Sequence, residues 1–443
     1  MRRQARLYPA LSILPPLTAA LLAFSSYAHA TKLDLSSEVE FKGANYGHLI
    51  YDAQRNSQAL YTESAALGFV IKDIRLEQAP QSTMEVGIVL QSVGAGASSG
   101  TVVAAPQFAD AASRLPQSNG TPFVREAYVR ILDFLKPDVT ATFGRQSFTL
   151  GQGISLASDD LGLPGGRLEI KNIYHGIKTD LFFFRPFNSV GFTQLYGGSA
   201  YYPGSEGVWQ LYHFWQKDTA APGDIVFDTA AKTKKFTGLR YVLTQKQLSF
   251  DGEAVIQRGT AKKRTGGTAA YEAHAFMMTG SWKQDLAFFG KSRIRLGYGR
   301  SSGNSGANAD SDKAFFPAFG KKYKGLERSG YGEIAGASLY DIVKTSPTAN
   351  GLPDGVSGLN IIVIGADLTY RKLLLSADLY KFRATNNTSG GSLQIASEWD
   401  LKVTYPLSDR MRLTAVYATF TPLGLYLDKT QSKLAYGAVS AKF

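Results

Sequence analysis

The sequence contains no cysteine and only five histidines among its 443 residues. Without cysteine there can be no disulfide, no thiolate nucleophile and no cysteine-ligated zinc site. Beyond residue 30 the histidines are His48, His175, His213 and His274, and no two of them have the spacing of metal ligands. We therefore predict no catalytic residue, no metal site and no cofactor, and we do not expect an enzyme.

Long apolar runs are scarce as well. After the first 30 residues no segment offers 18 uninterrupted apolar residues, which excludes α-helical membrane spans of about 20 residues. The N-terminal stretch carries three arginines in its first six residues, an apolar run over residues 11–24 and the small-residue site Ala28-His29-Ala30. This pattern predicts a secretory signal peptide over residues 1–30, followed by one domain over residues 31–443.

In place of long apolar runs, the sequence has short segments in which apolar and polar residues alternate, for example residues 139–143, 248–256 and 373–379. Alternation with a period of two is typical of β-strands with one apolar face. The 23 tyrosines and 26 phenylalanines can supply the aromatic girdles of a membrane barrel. The mean hydropathy of −0.12 is consistent with a barrel wall that has one face in lipid and the other face in water.

The connections between these segments alternate in length. Short turns such as residues 135–138 and 406–409 alternate with long polar loops such as residues 94–121 and 301–330. We therefore predict an all-β fold, a single antiparallel transmembrane β-barrel of about 18 strands (16–18), with long extracellular loops and short periplasmic turns. The strand count between residues 166 and 217 stays open, and a secreted soluble β-protein is the alternative fold.

The last residues also alternate, and Val439, Ala441 and Phe443 share one face. A final strand that ends in an aromatic residue is the usual signal for the machinery that assembles outer-membrane barrels. We therefore expect that machinery as a partner, through Phe443, and we expect the chain to be a multi-pass protein of the bacterial outer membrane.

Several motifs resemble the alginate-export family of outer-membrane channels. They are, in chain order, Arg125-Glu126-Ala127-Tyr128-Val129, Phe143-Gly144-Arg145-Gln146-Ser147-Phe148, Gly151-Gln152-Gly153, His175-Gly176-Ile177-Lys178, Asp180-Leu181-Phe182-Phe183-Phe184-Arg185-Pro186, Phe316-Pro317-Ala318-Phe319 and Glu398-Trp399-Asp400-Leu401. Their order and spacing over residues 123–443 are similar to the family's, although His175 stands where the family usually has an acidic residue.

This resemblance implies a monomeric barrel with an electropositive lumen. It implies an outer-membrane porin for the passive diffusion of small anionic or saccharide solutes, including alginate-like (uronate) polymers or oligomers. The alternative function is a structural or adhesive outer-membrane barrel with a plugged lumen. The departure at His175 leaves the identity of the solute open.

The candidate selectivity residues are the basic side chains on the polar face of the strands, because rings of Arg or Lys favour anions in a pore. By parity they are Arg130, Lys178, Arg240, Arg293, Arg295, Lys402 and Arg412. Acidic residues share this face and are expected to hold the arginines in cross-strand pairs. They are Glu126, Asp180, Asp251, Glu253, Asp378, Glu398 and Asp400.

Two further features complete the predicted pore. Arg145 has the parity of the apolar Phe143, so it lines the pore only if a bulge at Gly144 turns it inward, or if the strand ends there. The family resemblance favours a role in the lumen or at its rim. The loop over residues 149–166, with Asp159 and Asp160, is the candidate constriction.

Two basic clusters lie in predicted external turns, Lys262-Lys263-Arg264 and Lys321-Lys322-Tyr323-Lys324. They are interpreted as solvated loop charge or as contacts with outer-membrane lipid and the phosphates of lipopolysaccharide; recruitment of polyanions is the alternative. No nucleic-acid-binding module is present, so nucleic acid is not an expected partner.

Overall fold

The structure is a computed structural model that describes residues 32–49, 57–97, 115–116, 118–188, 191–219, 229–263, 266–287, 290–305, 310–320, 322–343, 348 and 350–443. The predicted signal peptide over residues 1–30 lies outside these ranges. Within them, no helix has the length and apolar character needed to cross a membrane.

The described residues form β-strands joined by turns and loops. In chain order the strands are β1 Lys32–Gly47, β2 Gln58–Leu76, β3 Ala79–Ala97, β4 Phe123–Leu132, β5 Val139–Thr149, β6 Ala157–Ile170, β7 Lys178–Phe184, β8 Phe187–Asn188, β9 Gly191–Pro203, β10 Gly207–Asp218, β11 Thr229–Thr244, β12 Leu248–Lys263, β13 Thr268–Leu286, β14 Gly290–Ser301, β15 Ser311–Asp312, β16 Tyr323–Lys324, β17 Glu327–Arg328, β18 Val356–Tyr370, β19 Leu373–Asn387, β20 Gln394–Pro406, β21 Met411–Pro422 and β22 Ser432–Lys442.

Eighteen of these strands form one closed antiparallel barrel. The four two-residue strands β8, β15, β16 and β17 are not part of the barrel wall, which leaves 18 wall strands (22 − 4). Each wall strand pairs with its neighbours in chain order, and β1 pairs with β22, so the sheet has no free edge. The predicted 18-stranded barrel is confirmed, and the open stretch of residues 166–217 contributes the end of β6 and the strands β7, β9 and β10.

The two faces of the wall follow the alternation in the sequence. On β14, Ile294 and Leu296 face outward with 56% and 59% of their surface exposed. The intervening Arg293 and Arg295 face inward, where they meet carboxylates of β18 and β19. An apolar outer face and a polar inner face are what a barrel in lipid requires.

The connections sort to two ends of the barrel, which we call the turn end and the loop end. Residues 77–78 and 371–372 are turns between paired strands at the turn end, where β1 begins and β22 ends. The connection over residues 302–355 is the longest, and it starts at the loop end. The predicted layout of short turns and long loops is confirmed.

The barrel closes through the backbone near the C-terminus. The amide of Ser37 donates to the carbonyl of Phe443 (2.9 Å), and the amide of Phe443 donates to the carbonyl of Ser37 (2.8 Å). Phe443 therefore continues the β1–β22 ladder at the turn end, and its side chain is exposed.

The predicted constriction loop over residues 149–166 is wrong in its bounds. Strand β5 ends at Thr149 and β6 begins at Ala157, so only residues 150–156 form the connection. The ladder shifts between Gln146–Leu163 and Phe148–Ser158, so residues 159–162 bulge from the wall. A Cβ on Gly162 would lie 2.9 Å from the backbone nitrogen of Gln146, which explains a glycine inside this strand.

We predict that Gly87→Ala destabilises the barrel, because a Cβ at that position would lie 2.4 Å from the Tyr128 ring on the adjacent strand. Displacing a packed ring costs about 1–3 kcal/mol. The measurement is the temperature at which the folded, fast-migrating band on a gel converts to the unfolded band. Gly96→Ala on the same strand is the control, since no atom lies within 4 Å of its Cβ position. Equal transition temperatures for the two variants would contradict the prediction.

Candidate functional site in the barrel lumen

Two connections at the loop end fold inward. The short inner loop comprises residues 150–156, and the long inner loop comprises residues 302–355, of which 306–309, 321, 344–347 and 349 are not described. Leu150 and Leu156 of the short inner loop and Phe315 of the long one are buried in the same apolar cluster as wall residues. The two loops therefore narrow the lumen by packing against its wall.

The short inner loop is held across the lumen by polar groups of β10, β11 and β12. The Arg240 guanidinium donates to the carbonyl of Gly151 (2.9 Å). The amide of Gln152 donates to Glu253, which also accepts from the Tyr212 hydroxyl. Each buried charge has a partner, which offsets the cost of removing it from water.

The long inner loop is hydrogen-bonded to the short inner loop. The amide of Ala318 donates to the carbonyl of Ser155 (2.9 Å), and the Lys322 ammonium donates to the carbonyl of Gln152 (2.7 Å). The two loops thus form a single constriction.

Two wall carboxylates hold the deepest part of the long inner loop. Glu398 on β20 accepts from the amides of Ile334 (2.6 Å) and Ala335 (3.0 Å), and Asp400 accepts from the amide of Glu333 (3.0 Å). Backbone amides are satisfactory partners for a buried carboxylate. These two acids were predicted to pair with arginines, but the structure pairs them with the backbone of the long inner loop.

Side chains of the long inner loop make further ion pairs. Glu333 contacts Lys402 (3.2 Å) and accepts from the Tyr436 hydroxyl (3.0 Å). Arg328 and Asp341 form a 2.5 Å pair whose side chains are 3% and 1% exposed. Burial alone would lower the pKa of Arg328, but the charge of Asp341 raises it above its ordinary value, so Arg328 stays charged.

Four of the predicted pore-lining arginines lie on the lumen face and have acidic partners. Arg240 forms two hydrogen bonds with Asp251 (2.8 and 2.6 Å). The other three pairs, with their N–O distances, are Arg130–Glu85 (3.2 Å), Arg293–Asp367 (2.6 Å) and Arg295–Asp367 (2.8 Å), with Asp378 3.0 Å from Arg295 as well.

The other predicted cations occupy different depths of the lumen. Lys402 is tied to the long inner loop through Glu333. Arg412 lines the cavity at the turn end. Lys178 has the parity of the inward-facing Asp180 and Phe182 and is exposed at the turn-end rim.

Arg145 departs from the prediction, whereas the prediction for Asp159 and Asp160 stays untested. Arg145 pairs with Ala127 and Pro164 with no register shift at Gly144, so it stays on the face of Phe143, which is 51% exposed on the outer wall. We therefore place Arg145 on the outer face near the loop end rather than in the lumen. The backbone of Asp159 and Asp160 lies in β6, and their side chains are outside the described part of the structure.

Some lumen charges were missed in the sequence. Arg167 contacts Glu169 (2.8 Å) and Asp180 (3.2 Å) and lies over the Phe148 ring. Lys42 contacts Glu327 (2.6 Å). Arg167 was missed because it directly follows residues 149–166, which were predicted to be a loop. Lys42 could have been assigned to the lumen by parity, because it follows Phe41, which faces outward.

The turn-end half of the lumen contains a cavity of about 550 Å³. Its charged lining residues are Lys42, Lys324, Arg328, Lys402, Arg410, Arg412, Lys442, Glu38, Glu40, Glu327, Glu333 and Asp400, which gives seven cations against five carboxylates and a balance of +2 (7 − 5). Among the described residues, no group of three or more His, Asp or Glu side chains is arranged to hold a metal ion.

Comparison with known proteins gives a family and a fold. The alginate export family matches residues 104–437 of the chain. No curated protein matches it. The solved structure of Pseudomonas aeruginosa OccK2 (OpdF) is similar, with 12% identity, a TM-score of 0.57, and coverage of 93% of this chain and 98% of that one. OccK2 has also been solved in complex with glucuronate, which gives a TM-score of 0.55 with the same identity and coverage.

A BenF-like porin from Pseudomonas fluorescens Pf-5 is similar to the same degree, with 11% identity, a TM-score of 0.57, and coverage of 93% of this chain and 98% of that one. At these identities the likeness to solved structures concerns the fold.

We predict that Asp341→Asn loosens the long inner loop, because it leaves Arg328 buried without a counter-charge. Breaking one partner out of a buried ion pair costs about 3–5 kcal/mol. The expected result is a larger and noisier single-channel conductance in planar bilayers, with an unchanged folded band on gels. Asp310→Asn is the control, since Asp310 pairs with Lys263 but is 78% exposed. Wild-type conductance in Asp341→Asn would contradict the prediction.

Proposed function

The chain belongs to the alginate export family, and we propose that it is a porin whose lumen passes small anionic or saccharide solutes, with uronates as the substrate class. Membership of this family, together with the porin fold, indicates an outer-membrane channel for small solutes. To this we add the sign of the charge that the solute carries, which is negative, and its chemical class, the uronates. We also keep the expectations of a monomer and of assembly through the strand that ends at Phe443.

The observation that carries the proposal is the charge of the turn-end cavity. Three pairs link Lys42 to Glu327, Lys324 to Glu40 and Lys402 to Glu333. Arg410, Arg412 and Lys442 line the same cavity, and within the described residues none of them forms an ion pair. Glu38 and Asp400 line the cavity as well, so its lining keeps a modest excess of cations over carboxylates. A net positive charge between low-dielectric walls favours anions over cations.

The arginine pairs in the wall supply a second support. Arg293 and Arg295 share Asp367, and Arg295 also contacts Asp378, so this part of the lumen presents two guanidinium groups beside two carboxylates. A planar guanidinium fork can bind a carboxylate at two points, which suits a uronate. Arg293 is 44% exposed, so a passing solute can reach it.

The solute class is also suggested by a neighbour in fold. OccK2 has been solved in complex with glucuronate, which is a sugar that carries one carboxylate. We extend this class to the present chain because its cavity combines arginine and lysine with hydroxyl groups such as those of Tyr436, Thr404 and Thr414.

A second candidate function is a structural or adhesive barrel with a plugged lumen. It is favoured by the apolar cluster in which Leu150, Phe315 and Leu339 of the inner loops pack against wall residues. Planar-bilayer recording separates the two candidates. A barrel that inserts but conducts no current would overturn the porin proposal.

We predict an anion-selective reversal potential in a KCl gradient. Arg412→Gln should shift the permeability ratio toward cations by roughly twofold to fivefold, since a unit charge at about 4 Å in water is worth about 1 kcal/mol. Arg383→Gln is the control, because Arg383 is exposed on the outer wall. A cation-preferring wild type, or identical shifts in the two variants, would refute the positive lumen.

We also predict that glucuronate reduces the chloride current in a concentration-dependent way, because its carboxylate occupies the basic cavity during passage. Glucose at the same concentrations should leave the current almost unchanged, which makes it the matched neutral probe. Arg412→Gln should raise the glucuronate concentration needed for half-maximal reduction. Equal effects of glucose and glucuronate would show that the channel does not select uronates by charge.

A further inference from the structure

The outer wall carries a group of basic residues near the loop end of strands β10 to β19. We call this group the outer basic belt, and its members are Lys217, Lys235, Arg258, Lys262, Arg300, Lys381 and Arg383. All seven are exposed. They are distinct from the lumen cations described above.

The outward direction of the outer basic belt follows from burial along each strand. Lys235 lies between Lys234 and Phe236, which are buried toward the lumen at 3% and 0% exposure. Arg383 lies between Phe382 and Ala384, which are buried in the same way. Because successive side chains on a strand point to opposite faces, the exposed cations point away from the lumen.

The depth of the outer basic belt follows from its apolar neighbours on the same face. Arg258 comes two residues after Ile256, and Lys381 comes two residues after Leu379; both apolar side chains are 50% exposed on the outer wall. Two residues along a strand span about 7 Å. The cations therefore stand just beyond the apolar surface that contacts acyl chains, at the level of lipid head groups.

The members of the outer basic belt also lie close enough to act together. Lys235 and Arg258 are direct partners on β11 and β12, and neighbouring strands are about 4.8 Å apart. Arg300 and Arg383 both pair with Asn360, from the two sides of β18. Lys235 with Arg258, and Arg300 with Arg383, are therefore two pairs of neighbouring cations. The distance between the two cations of each pair suits a ligand with more than one phosphate.

The charge of the outer basic belt is not balanced within the protein. In the described ranges, none of the seven side chains forms an ion pair with a carboxylate. Glu272 is in register with Arg258, but no ion pair joins them. Five arginines on the lumen face of the wall, in contrast, are paired with acids at 2.6–3.2 Å; they are Arg130, Arg167, Arg240, Arg293 and Arg295.

We propose that the outer basic belt is a binding site for the phosphate groups of the diphosphorylated glycolipid of the surrounding outer leaflet. Arginine binds phosphate with two parallel hydrogen bonds, and lysine adds point charges. The acyl chains of the lipid would lie along Ile256, Leu379 and the neighbouring apolar wall. This inference rests on the outer-membrane location, with the loop end in the outer leaflet, and not on the solute of the channel.

The test is the affinity of the purified full-length barrel in detergent for diphosphoryl lipid A, followed by native mass spectrometry. A variant with Lys235→Gln, Arg258→Gln, Arg300→Gln and Arg383→Gln should bind at least about a hundredfold more weakly, since each cation near an anionic lipid surface contributes roughly fivefold. Because these side chains are exposed, the variant should keep the folded gel band.

Three controls sharpen this test. Lys433→Gln removes an exposed cation on β22, outside the outer basic belt, and should leave binding unchanged. Dephosphorylated lipid A should bind the wild type about as weakly as diphosphoryl lipid A binds the fourfold variant. Free pyrophosphate should compete poorly, because it has no acyl chains for the apolar wall.

Three outcomes would overturn the proposal. They are equal lipid A affinity for the wild type and the fourfold variant, equal affinity for phosphorylated and dephosphorylated lipid A, and equal affinity for phosphatidylglycerol and lipid A. Conductance in bilayers without lipid A tests the channel separately, so a silent barrel that still binds lipid A would refute only the porin proposal.

Discussion

The pairing of β1 with β22 is the constraint on which the rest of the structure depends. A membrane offers no water to unpaired amides and carbonyls, so a sheet inside it must close on itself. The register from Glu38–Lys442 to Gly47–Lys433 closes this one. Once it is closed, each residue of the wall has one of two environments, and a one-residue slip would exchange them.

Closure creates a narrow interior in which charges need partners. The wall provides some of them, as in the pairs of Arg240 with Asp251 and of Arg293 with Asp367. The inner loops provide others, because backbone amides of residues 333–335 meet Glu398 and Asp400. The same contacts that compensate buried carboxylates therefore position the constriction. In this barrel, the hydrogen bonds that compensate the charges on the inner wall also set the shape of the pore.

The distribution of positive charge differs between the two faces. The chain has a formal net charge of +12. Lumen arginines are mostly matched by acids, and the balance of +2 in the turn-end cavity is modest. Exposed cations such as Lys235 and Arg300 stand instead on the outer wall, beyond the apolar band. Net charge alone would have suggested a strongly positive pore, whereas the fold divides this charge between the lumen and the outer wall.

The sequence by itself determined the barrel, a strand number of about 18 and the face of most strand residues, because an alternation of period two is a local property. Arg293, Arg295 and Arg240 could be assigned to the lumen in this way. Only the tertiary structure decided the position of the constriction, the partners of Glu398 and the side of the wall on which Arg145 lies. These depend on contacts between segments far apart in the chain and on the register shift between β5 and β6, which strand periodicity does not record.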